Sequence, residues 1–124
     1  MAKLGIGSDS SATGQMSIIN KNGMNPFKDL DPVLHSQLRL AITSLLMREK
    51  EADFILLKDR TKATAGNLSV QINKLREAGY IEVIKDFKDN YPHTICKITL
   101  SGSKAFDHYV KSLQSYVSLK PKSY

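Results

Sequence analysis

The sequence lacks the residue patterns that mark disulfide-bonded, membrane-spanning and redox proteins. Its single cysteine, Cys96, excludes an intrachain disulfide, and a lone thiol usually serves as a small buried apolar side chain in a reducing cytoplasm. The longest apolar runs, such as residues 45–47, are far shorter than the ~20 residues that a membrane span needs. We therefore expect a soluble, cytoplasmic protein without a redox site.

Recognisable catalytic and metal-binding patterns are also missing. The histidines are widely spaced along the chain, with no cysteine partners and no His-Glu-x-x-His pattern beside them. No serine stands in the Gly-x-Ser-x-Gly context of a hydrolase nucleophile. We predict that the protein is not an enzyme and carries no metal or cofactor.

Length and charge set the scale of what the chain can form. Its 124 residues suffice for one domain with a real core. Lysine and arginine number 18 against 12 aspartate and glutamate, a net charge of +6 that favours an anionic partner without requiring one. By composition, residues 1–28 are predicted to be a flexible leader, residues 29–100 the folded domain, and residues 101–124 a C-terminal helix and tail.

Two helices are predicted in the first half of the chain. In the first, Asp31 is the expected N-cap and Pro32 the first helical residue, and apolar side chains then recur on one face until a predicted end near Met47. A shorter second helix follows a candidate cap at Asp53, and residues 51–53 before it are a candidate extended piece.

A third helix, a hairpin and a long last helix complete the predicted order. Thr64 is the expected cap of the third helix, and Gly79 is its expected C-terminal glycine. The β-branched and aromatic stretch "YIEVIKDF", the turn-forming "KDNYP" and the extended "HTICKIT" predict a β-hairpin. Thr99 is the expected cap of the last helix.

Two short, closely joined helices followed by a hairpin define a winged helix-turn-helix. The predicted fold class is mainly α with a small β-hairpin: a three-helix core, a wing and a long C-terminal helix. In this fold the second helix of the pair, here about residues 64–78, enters the major groove of double-stranded DNA. Its predicted outer side carries mostly short, uncharged residues: Gly66, Asn67, Ser69, Val70, Asn73 and Lys74.

This composition predicts a DNA-reading surface. Short groups let a duplex approach the helix backbone, polar amides and hydroxyls offer hydrogen bonds, and an outward Val70 can meet a thymine methyl. Lys74 is in reach of a phosphate. The residues that we predict to contact DNA are Thr64, Gly66, Asn67, Ser69, Val70, Asn73, Lys74, Lys88 and His93.

From Leu30 to about Tyr109 the sequence resembles the small winged-helix DNA-binding regulators of the MarR-like superfamily. The matching stretches are "LDPVLHSQLRLAI", "ADFILLK", "GNLSVQINKLREAGYIEV" and "ITLSGSKAF", the last of which fits the family's Leu/Ile-Thr-x-x-Gly pattern between wing and last helix. The resemblance implies a homodimeric transcriptional regulator that reads DNA with the third helix. Such relatives often sense a small molecule between subunits, but no cluster of residues in this sequence identifies an effector.

The wing departs from the family pattern. Its tip commonly carries arginines that enter the minor groove, whereas this chain has "KDNYPHT" there, with Asp89 placed to repel phosphate. Only Lys88, with His93 when protonated, offers positive charge. We expect either a modest DNA affinity or a sequence preference that rests mainly on the helix.

The last helix carries an apolar stripe that is long for packing against its own domain. The stripe residues recur at spacings of three and four: Phe106, Tyr109, Val110, Leu113, Tyr116 and Val117. A second copy of the chain is the expected cover, and packing within the chain is the alternative. A two-fold dimer would place two recognition helices roughly 34 Å apart, which matches a palindromic operator.

A second function is compatible with the same fold. A winged-helix module can mediate protein–protein interaction without specific DNA binding, and the weakly charged wing allows this alternative. The two functions differ in salt dependence, because DNA binding releases counterions from phosphates and a protein interface does not.

Overall fold

The computed structural model of the protein describes residues 27–118. Within this range the chain forms, in order, α1 (Gln37–Glu49), β1 (Glu51–Asp53), α2 (Phe54–Thr61), α3 (Ala65–Glu77), β2 (Ile81–Lys88), β3 (Tyr91–Ile98) and α4 (Leu100–Val117). The predicted order of three helices, a hairpin and a long last helix is confirmed, and the extended piece before the second helix is β1. Most of the predicted leader, up to residue 26, lies outside the described residues, as does the tail from residue 119. No helix among residues 27–118 is long and apolar enough to cross a membrane.

Helix α1 begins later than its sequence pattern suggested. Its N-cap is Ser36, whose backbone is extended and whose hydroxyl accepts a hydrogen bond from the N–H of Arg39. Asp31 and Pro32, expected as cap and first helical residue, precede the helix, and Pro32 lies in a turn. The Asp31 carboxylate is engaged by the hydroxyl of Tyr80, which is 49 positions away in the chain. Asp31 still caps locally, since its Oδ1 accepts the N–H of Val33 at 2.8 Å, but the turn that it caps covers only residues 32–34 and does not continue into α1.

The other three helices are capped as the sequence predicted. In each, the cap residue has an extended backbone and its side chain accepts a backbone N–H from the first turn. The pairs are Asp53 with Leu56 at 2.8 Å, Thr64 with Asn67 at 3.2 Å and Thr99 with Gly102 at 2.9 Å.

Gly79 ends α3, also as predicted. Its φ of 80° is left-handed, and its N–H donates to the carbonyl of Arg76 at 2.9 Å. The N–H of Tyr80 donates to the carbonyl of Leu75 at 3.0 Å, which completes the double bond pattern of a Schellman motif. The chain thus turns from α3 directly into β2, so the helix and the wing are rigidly joined.

The three strands form one antiparallel sheet in the order β1-β3-β2. Asp89 and Asn90 join β2 to β3, and both have positive φ, 52° and 67°, as a type I′ turn requires. Tyr91 and Pro92, which composition had assigned to the turn, belong to β3. Proline is tolerated there because β1 pairs with β3 only as far as Ile95, so β3 is an edge strand at Pro92.

Successive side chains alternate between the two faces of the hairpin, and cross-strand partners share a face. The inner face, which looks toward the helices, holds the pairs Ile81–Ile98, Val83–Cys96, Lys85–Thr94 and Phe87–Pro92. The outer face holds Glu82–Lys97, Ile84–Ile95, Asp86–His93 and Lys88–Tyr91. Toward the tip of the hairpin, the inner face therefore carries one cation, Lys85, whereas the outer face carries Asp86 together with His93 and Lys88.

The core lies between the helices and the inner face of the sheet. Its fully buried side chains come from the turn before α1, from α1, α2 and α3, and from β3: Leu34, Ile42, Leu46, Leu57, Leu68, Leu75 and Cys96. Each buried aliphatic side chain contributes about 1.5–3 kcal/mol relative to exposure. Burial raises the pKa of the Cys96 thiol to about 11, so the thiol stays protonated at neutral pH and packs as an apolar group.

Helix α4 starts against the connection between α3 and β2. The N–H of Thr99 donates to the carbonyl of Tyr80 at 3.1 Å, and its hydroxyl donates to the carbonyl of Gly79 at 2.7 Å. Gly102 is buried on the same carbonyl, because a Cβ added there would lie 2.0 Å from the oxygen of Tyr80. We call these four residues the junction. This geometry explains the Thr-x-x-Gly pattern. Thr99 forms hydrogen bonds with the connection between α3 and β2, and Gly102 has no side chain that would keep α4 away from it.

Gly102→Ala should destabilise the fold, because the new methyl group would have to displace a backbone carbonyl. We expect the free energy of unfolding, measured by chemical denaturation, to fall by about 1–3 kcal/mol. Gly66→Ala is the matched control, since a Cβ at that helical glycine meets nothing within 4 Å. The control should equal the parent or exceed it by about 0.5–1 kcal/mol. Equal losses in both variants would show that the contact with Tyr80 is unimportant.

Candidate nucleic-acid interface

The side of α3 that was predicted to read DNA lies on the protein surface. The opposite side is anchored in the core by Leu68, Ile72 and Leu75. The exposed positions include all those predicted on or before this helix: Thr64, Gly66, Asn67, Ser69, Val70, Asn73 and Lys74. Val70 is 51% exposed although it is apolar. This side of α3 therefore offers short polar groups and one aliphatic group to a partner.

Gly66 leaves the backbone of the first turn of α3 bare. It is exposed, and an added Cβ would have no neighbour within 4 Å. Glycine inside a helix costs roughly 0.5–1 kcal/mol relative to alanine. No packing contact in the described part of the chain accounts for that cost. A partner that approaches the helix backbone closely would account for it.

Two arginines set the orientation of the amide side chains on α3. From α1, Arg39 donates through Nη1 to Oε1 of Gln71. Gln71 in turn donates through Nε2 to Oδ1 of Asn67 at 3.0 Å. Farther along α3, Arg76 donates through Nε, at 3.1 Å, and Nη2 to Oδ1 of Asn73. Because a guanidinium has donors and no acceptor, these bonds fix which atom of each amide faces inward.

An open cleft of about 720 Å³ lies between α3 and the inner face of the wing. Its lining combines apolar side chains with polar ones: Phe54, Ser69, Val70, Ile72, Asn73, Arg76, Val83, Lys85 and Thr94. The two cations come from opposite sides, Arg76 from the helix and Lys85 from β2. No carboxylate is among the lining residues, so the cleft is electropositive and suits an anionic partner.

His93 lies on the outer face of the hairpin between two carboxylates. Its Nδ1 is 3.1 Å from Oδ1 of Asp86, and its Nε2 is 3.4 Å from Oδ2 of Asp53. The two carboxylates would compete with a phosphate for a charged ring, which counts against the expected contact between His93 and DNA. Strand alternation is the reason, since His93 shares its face with Asp86. The described residues contain no group of three or more His, Cys, Asp or Glu that could hold a metal ion.

Asp53 connects the wing to the helix-turn-helix. Its Oδ1 caps α2 through the N–H of Leu56, and its Oδ2 faces His93 on β3. The hydrogen bond from Leu56 is the main cause that lowers the pKa of Asp53 below 3.8. Burial opposes this effect, and the hydrogen bond and charge of His93 add to it. The charged form of Asp53 therefore stabilises the contact between α2 and the wing.

The tip of the wing is aromatic and nearly balanced in charge. Phe87 is 76% exposed and Tyr91 is 74% exposed. Lys88 is exposed on the outer face, and Asp89 occupies the adjacent turn. Contact between Lys88 and DNA stays a prediction, and Lys85 on the inner face is the cation that the wing contributes to the cleft.

The apolar stripe of α4 is divided between the chain's own core and the surface. Tyr109 is only 3% exposed, and its hydroxyl lies 3.0 Å from Nδ1 of His35. Phe106 packs from a partly buried position against the core. The rest of the stripe faces outward: Val110, Leu113, Tyr116 and Val117. The surface left for a second chain is therefore narrower than the predicted stripe.

The first described residues lie along α4. The hydroxyl of Tyr116 donates to the carbonyl of Lys28 at 2.8 Å, and the N–H of Lys28 donates to the hydroxyl of Ser115 at 3.0 Å. The rings of Phe27 and Tyr116 are 5.1 Å apart. Phe27 and Lys28, assigned to the leader by composition, therefore contact the folded domain.

Sequence reasoning missed four side chains of the α3 surface and the cleft: Arg39, Gln71, Arg76 and Lys85. Two of them carried a usable signal. Arg76 follows Asn73 by three residues, which places both on one helical face, and Lys85 is in phase with the inward Val83. The bond between Arg39 and Gln71 joins residues 32 positions apart, so no local pattern shows it.

An exposed second helix beside a two-stranded wing defines the winged helix-turn-helix class of DNA-binding domain. The chain belongs to the winged helix DNA-binding domain family, whose model matches residues 38–117. The matched region begins in α1 and ends with α4, so it includes α3, the cleft, the wing and the junction.

Comparison with individual proteins gives the same result. The chain is 35% identical over 78 residues to the uncharacterized protein MJ0432 of Methanocaldococcus jannaschii, which spans 63% of this chain and 85% of that protein. A transcriptional regulator homologue from Pyrococcus horikoshii OT3 superposes with a TM-score of 0.65 at 27% identity, over 69% of this chain and 85% of its own. NadR, solved in complex with 4-hydroxyphenylacetate, shares the fold at a TM-score of 0.58 and 20% identity, over 70% and 64% of the two chains. The predicted winged-helix DNA-binding fold is confirmed.

Asp53→Ala should lower the free energy of unfolding by about 1 kcal/mol, because α2 loses its N-cap. Asp53→Asn keeps a capping oxygen and removes only the charge, so it isolates the pH-dependent part of the free energy of unfolding. Because the pKa of Asp53 is lowered in the folded state, the charged form adds stability above 3.8, and this stability is lost as the pH falls through the lowered value. Unfolding curves of the parent and Asp53→Asn should therefore converge in acid. A constant difference between them at all pH values would contradict this role of the carboxylate.

Proposed function

We propose that the protein is a cytoplasmic transcriptional regulator that binds specific double-stranded DNA sequences as a homodimer. In this proposal α3 enters the major groove and the wing lies beside it. One observation carries the proposal: the exposed side of α3 is slim, lacks carboxylates up to Glu77 and contains a bare backbone at Gly66. A helix fits the major groove only when its side chains allow a close approach.

The roles of the individual residues follow from their positions. Gly66 and Ser69 let the duplex come close to the helix, and Val70 meets base edges or a thymine methyl. Lys74 on α3 and Lys85 on β2 contact phosphates, so a strand of the backbone runs through the electropositive cleft. His93 is left out of the contact set because its partners are Asp53 and Asp86.

A salt titration tests this function directly. Neutralising Z phosphates gives a log–log slope of affinity against salt of roughly −0.9Z, whereas a protein interface responds far less. The exposed rings of Phe87 and Tyr91 favour the alternative, a wing that binds another protein. If no duplex, specific or bulk, binds the chain at low salt, the DNA proposal fails and the protein-binding alternative gains support.

Gly66→Gln should separate the stability of α3 from its function. The free protein should be at least as stable as the parent, because the new side chain meets no neighbour. Its affinity for selected duplex DNA should fall by about 1–3 kcal/mol, the size of one lost base contact, as measured by fluorescence anisotropy. Ser101→Gln is the matched control, since Ser101 occupies the equivalent exposed position in the first turn of α4. Unchanged affinity in Gly66→Gln would place DNA elsewhere.

Dimerisation is proposed to use the outward half of the α4 stripe. Val110, Leu113 and Tyr116 are each 37% exposed and Val117 is 73% exposed, in a row at helical spacing. A two-fold axis along this row would pair two copies of α4 and set two α3 helices roughly 34 Å apart on a palindromic operator. NadR was solved in complex with a small molecule, 4-hydroxyphenylacetate. We propose that this chain also binds a small-molecule effector, whose chemical identity the site does not define.

Leu113→Glu should convert the dimer to monomers, because it places a charge within the apolar row. Analytical ultracentrifugation at matched concentration measures the outcome. Ser101→Glu adds the same charge at an exposed position in the first turn of α4, away from this row, and should leave the dimer intact. Thermal unfolding of both variants checks that each folds. A dimer that persists in Leu113→Glu would move the interface away from α4.

A further inference from the structure

The amide side chains on the exposed side of α3 are oriented so that their donors remain available. The carbonyl oxygen of Asn67 accepts from Gln71, whose own oxygen accepts from Arg39. The carbonyl oxygen of Asn73 accepts twice from Arg76. Reading an adenine with an asparagine requires one donor and one acceptor from the same amide. In this arrangement the oxygen of Asn73 accepts two hydrogen bonds and that of Asn67 accepts one, while the N–H groups of both amides remain available to acceptors on a partner.

Arg76 has the geometry of a fixed two-pronged donor. Its Nε and one hydrogen of Nη2 are engaged by Asn73, which leaves Nη1 and the outer hydrogen of Nη2 pointing away as a parallel pair. No carboxylate of residues 27–118 lies within ion-pairing distance of this guanidinium. Its charge is therefore uncompensated, and its plane is held by a neutral amide.

We propose that Arg76 reads a guanine in each half of the operator and that Asn73 is the residue that positions it. The two outward N–H groups match the O6 and N7 acceptors that guanine presents in the major groove, which is the most common specific contact of arginine with DNA. The inference rests on the proposed function, and it names the base that this surface selects. It also changes the role of Asn73 from a direct base contact to a support for the guanidinium.

The position of Arg76 suits this reading. The side chain lines the cleft on the α3 side, while Lys85 lines it from β2 and supplies the phosphate contact. A duplex seated on α3 would therefore bring a phosphate strand to Lys85 and a base edge to the adjacent helix face. A guanidinium that is held in plane before binding loses less freedom on contact than a mobile one.

Selection of bound sites from random duplex DNA, followed by an atom-specific substitution, tests the proposal. The full-length parent should select sites with one invariant guanine in each half. Replacing that guanine with 7-deazaguanine removes the N7 acceptor and should weaken binding by the parent roughly 5- to 150-fold. Arg76→Ala removes every donor at this position, so it should lose the preference for guanine and show little response to the substitution.

Two further variants separate recognition of guanine from general electrostatic attraction to DNA. Asn73→Ala leaves the guanidinium in place without its support, so guanine preference should weaken while affinity for bulk duplex is kept. Arg60→Ala is the matched control, since Arg60 is an exposed arginine of α2, and it should respond to 7-deazaguanine as the parent does. Circular dichroism confirms that each variant is folded.

The possible outcomes are distinct. If the parent selects sites but 7-deazaguanine weakens the parent and Arg76→Ala equally, Arg76 does not read guanine and the inference is wrong. The same conclusion follows if Arg76→Ala weakens all duplexes by one factor, because that pattern marks a phosphate contact. If the parent selects no duplex at all, the proposed function itself fails.

Discussion

The fold depends on one close backbone contact, the approach of α4 to the carbonyl of Tyr80. Thr99 donates to the carbonyls of Tyr80 and Gly79, and Gly102 has no side chain that would block the helix. Three elements meet there: the end of α3, the start of β2 and the start of α4. The angle between α3 and the wing, which shapes the cleft, is therefore fixed by backbone hydrogen bonds rather than by the exposed side chains of the interface.

The same connection also holds the segment before α1. The hydroxyl of Tyr80 donates to the Asp31 carboxylate, and both burial and this bond raise the pKa of the phenol above its ordinary value of 10.0. The phenol thus keeps its proton and its hydrogen bond at any physiological pH. Since Asp31 also accepts the N–H of Val33, the turn before α1 is tied to the α3–β2 connection. The segment before α1 and the end of α3 are therefore held together by contacts that do not involve the exposed side of α3.

Short sequence patterns were enough to predict most of the helix and strand boundaries but little of the orientation of the side chains. The caps at Asp53, Thr64 and Thr99 act within one turn, so short sequence patterns contain them. The start of α1 was misplaced because Asp31 and Ser36 both resemble caps: Asp31 caps only the turn over residues 32–34, and the helix begins after Ser36. The residues expected to face DNA on α3 were located by helical periodicity. The orientation of their amides was not predictable, because it depends on contacts such as that between Arg39 and Gln71, which come together only in the folded chain.

Helix α4 links assembly to DNA reading in the proposed dimer. Its inner edge is fixed to the chain's own core through Tyr109, and its first turn is fixed to the junction at Gly102. Packed cores and backbone contacts deform little, so a rotation of α4 about a two-fold axis would carry α3 with it. A ligand that changed the angle between two α4 helices would then change the spacing of the two recognition helices. In such a mechanism the ligand would control DNA binding through the distance between the two α3 helices. It requires no movement within the cleft, only a second arrangement of the α4 pair that the ligand binds more tightly.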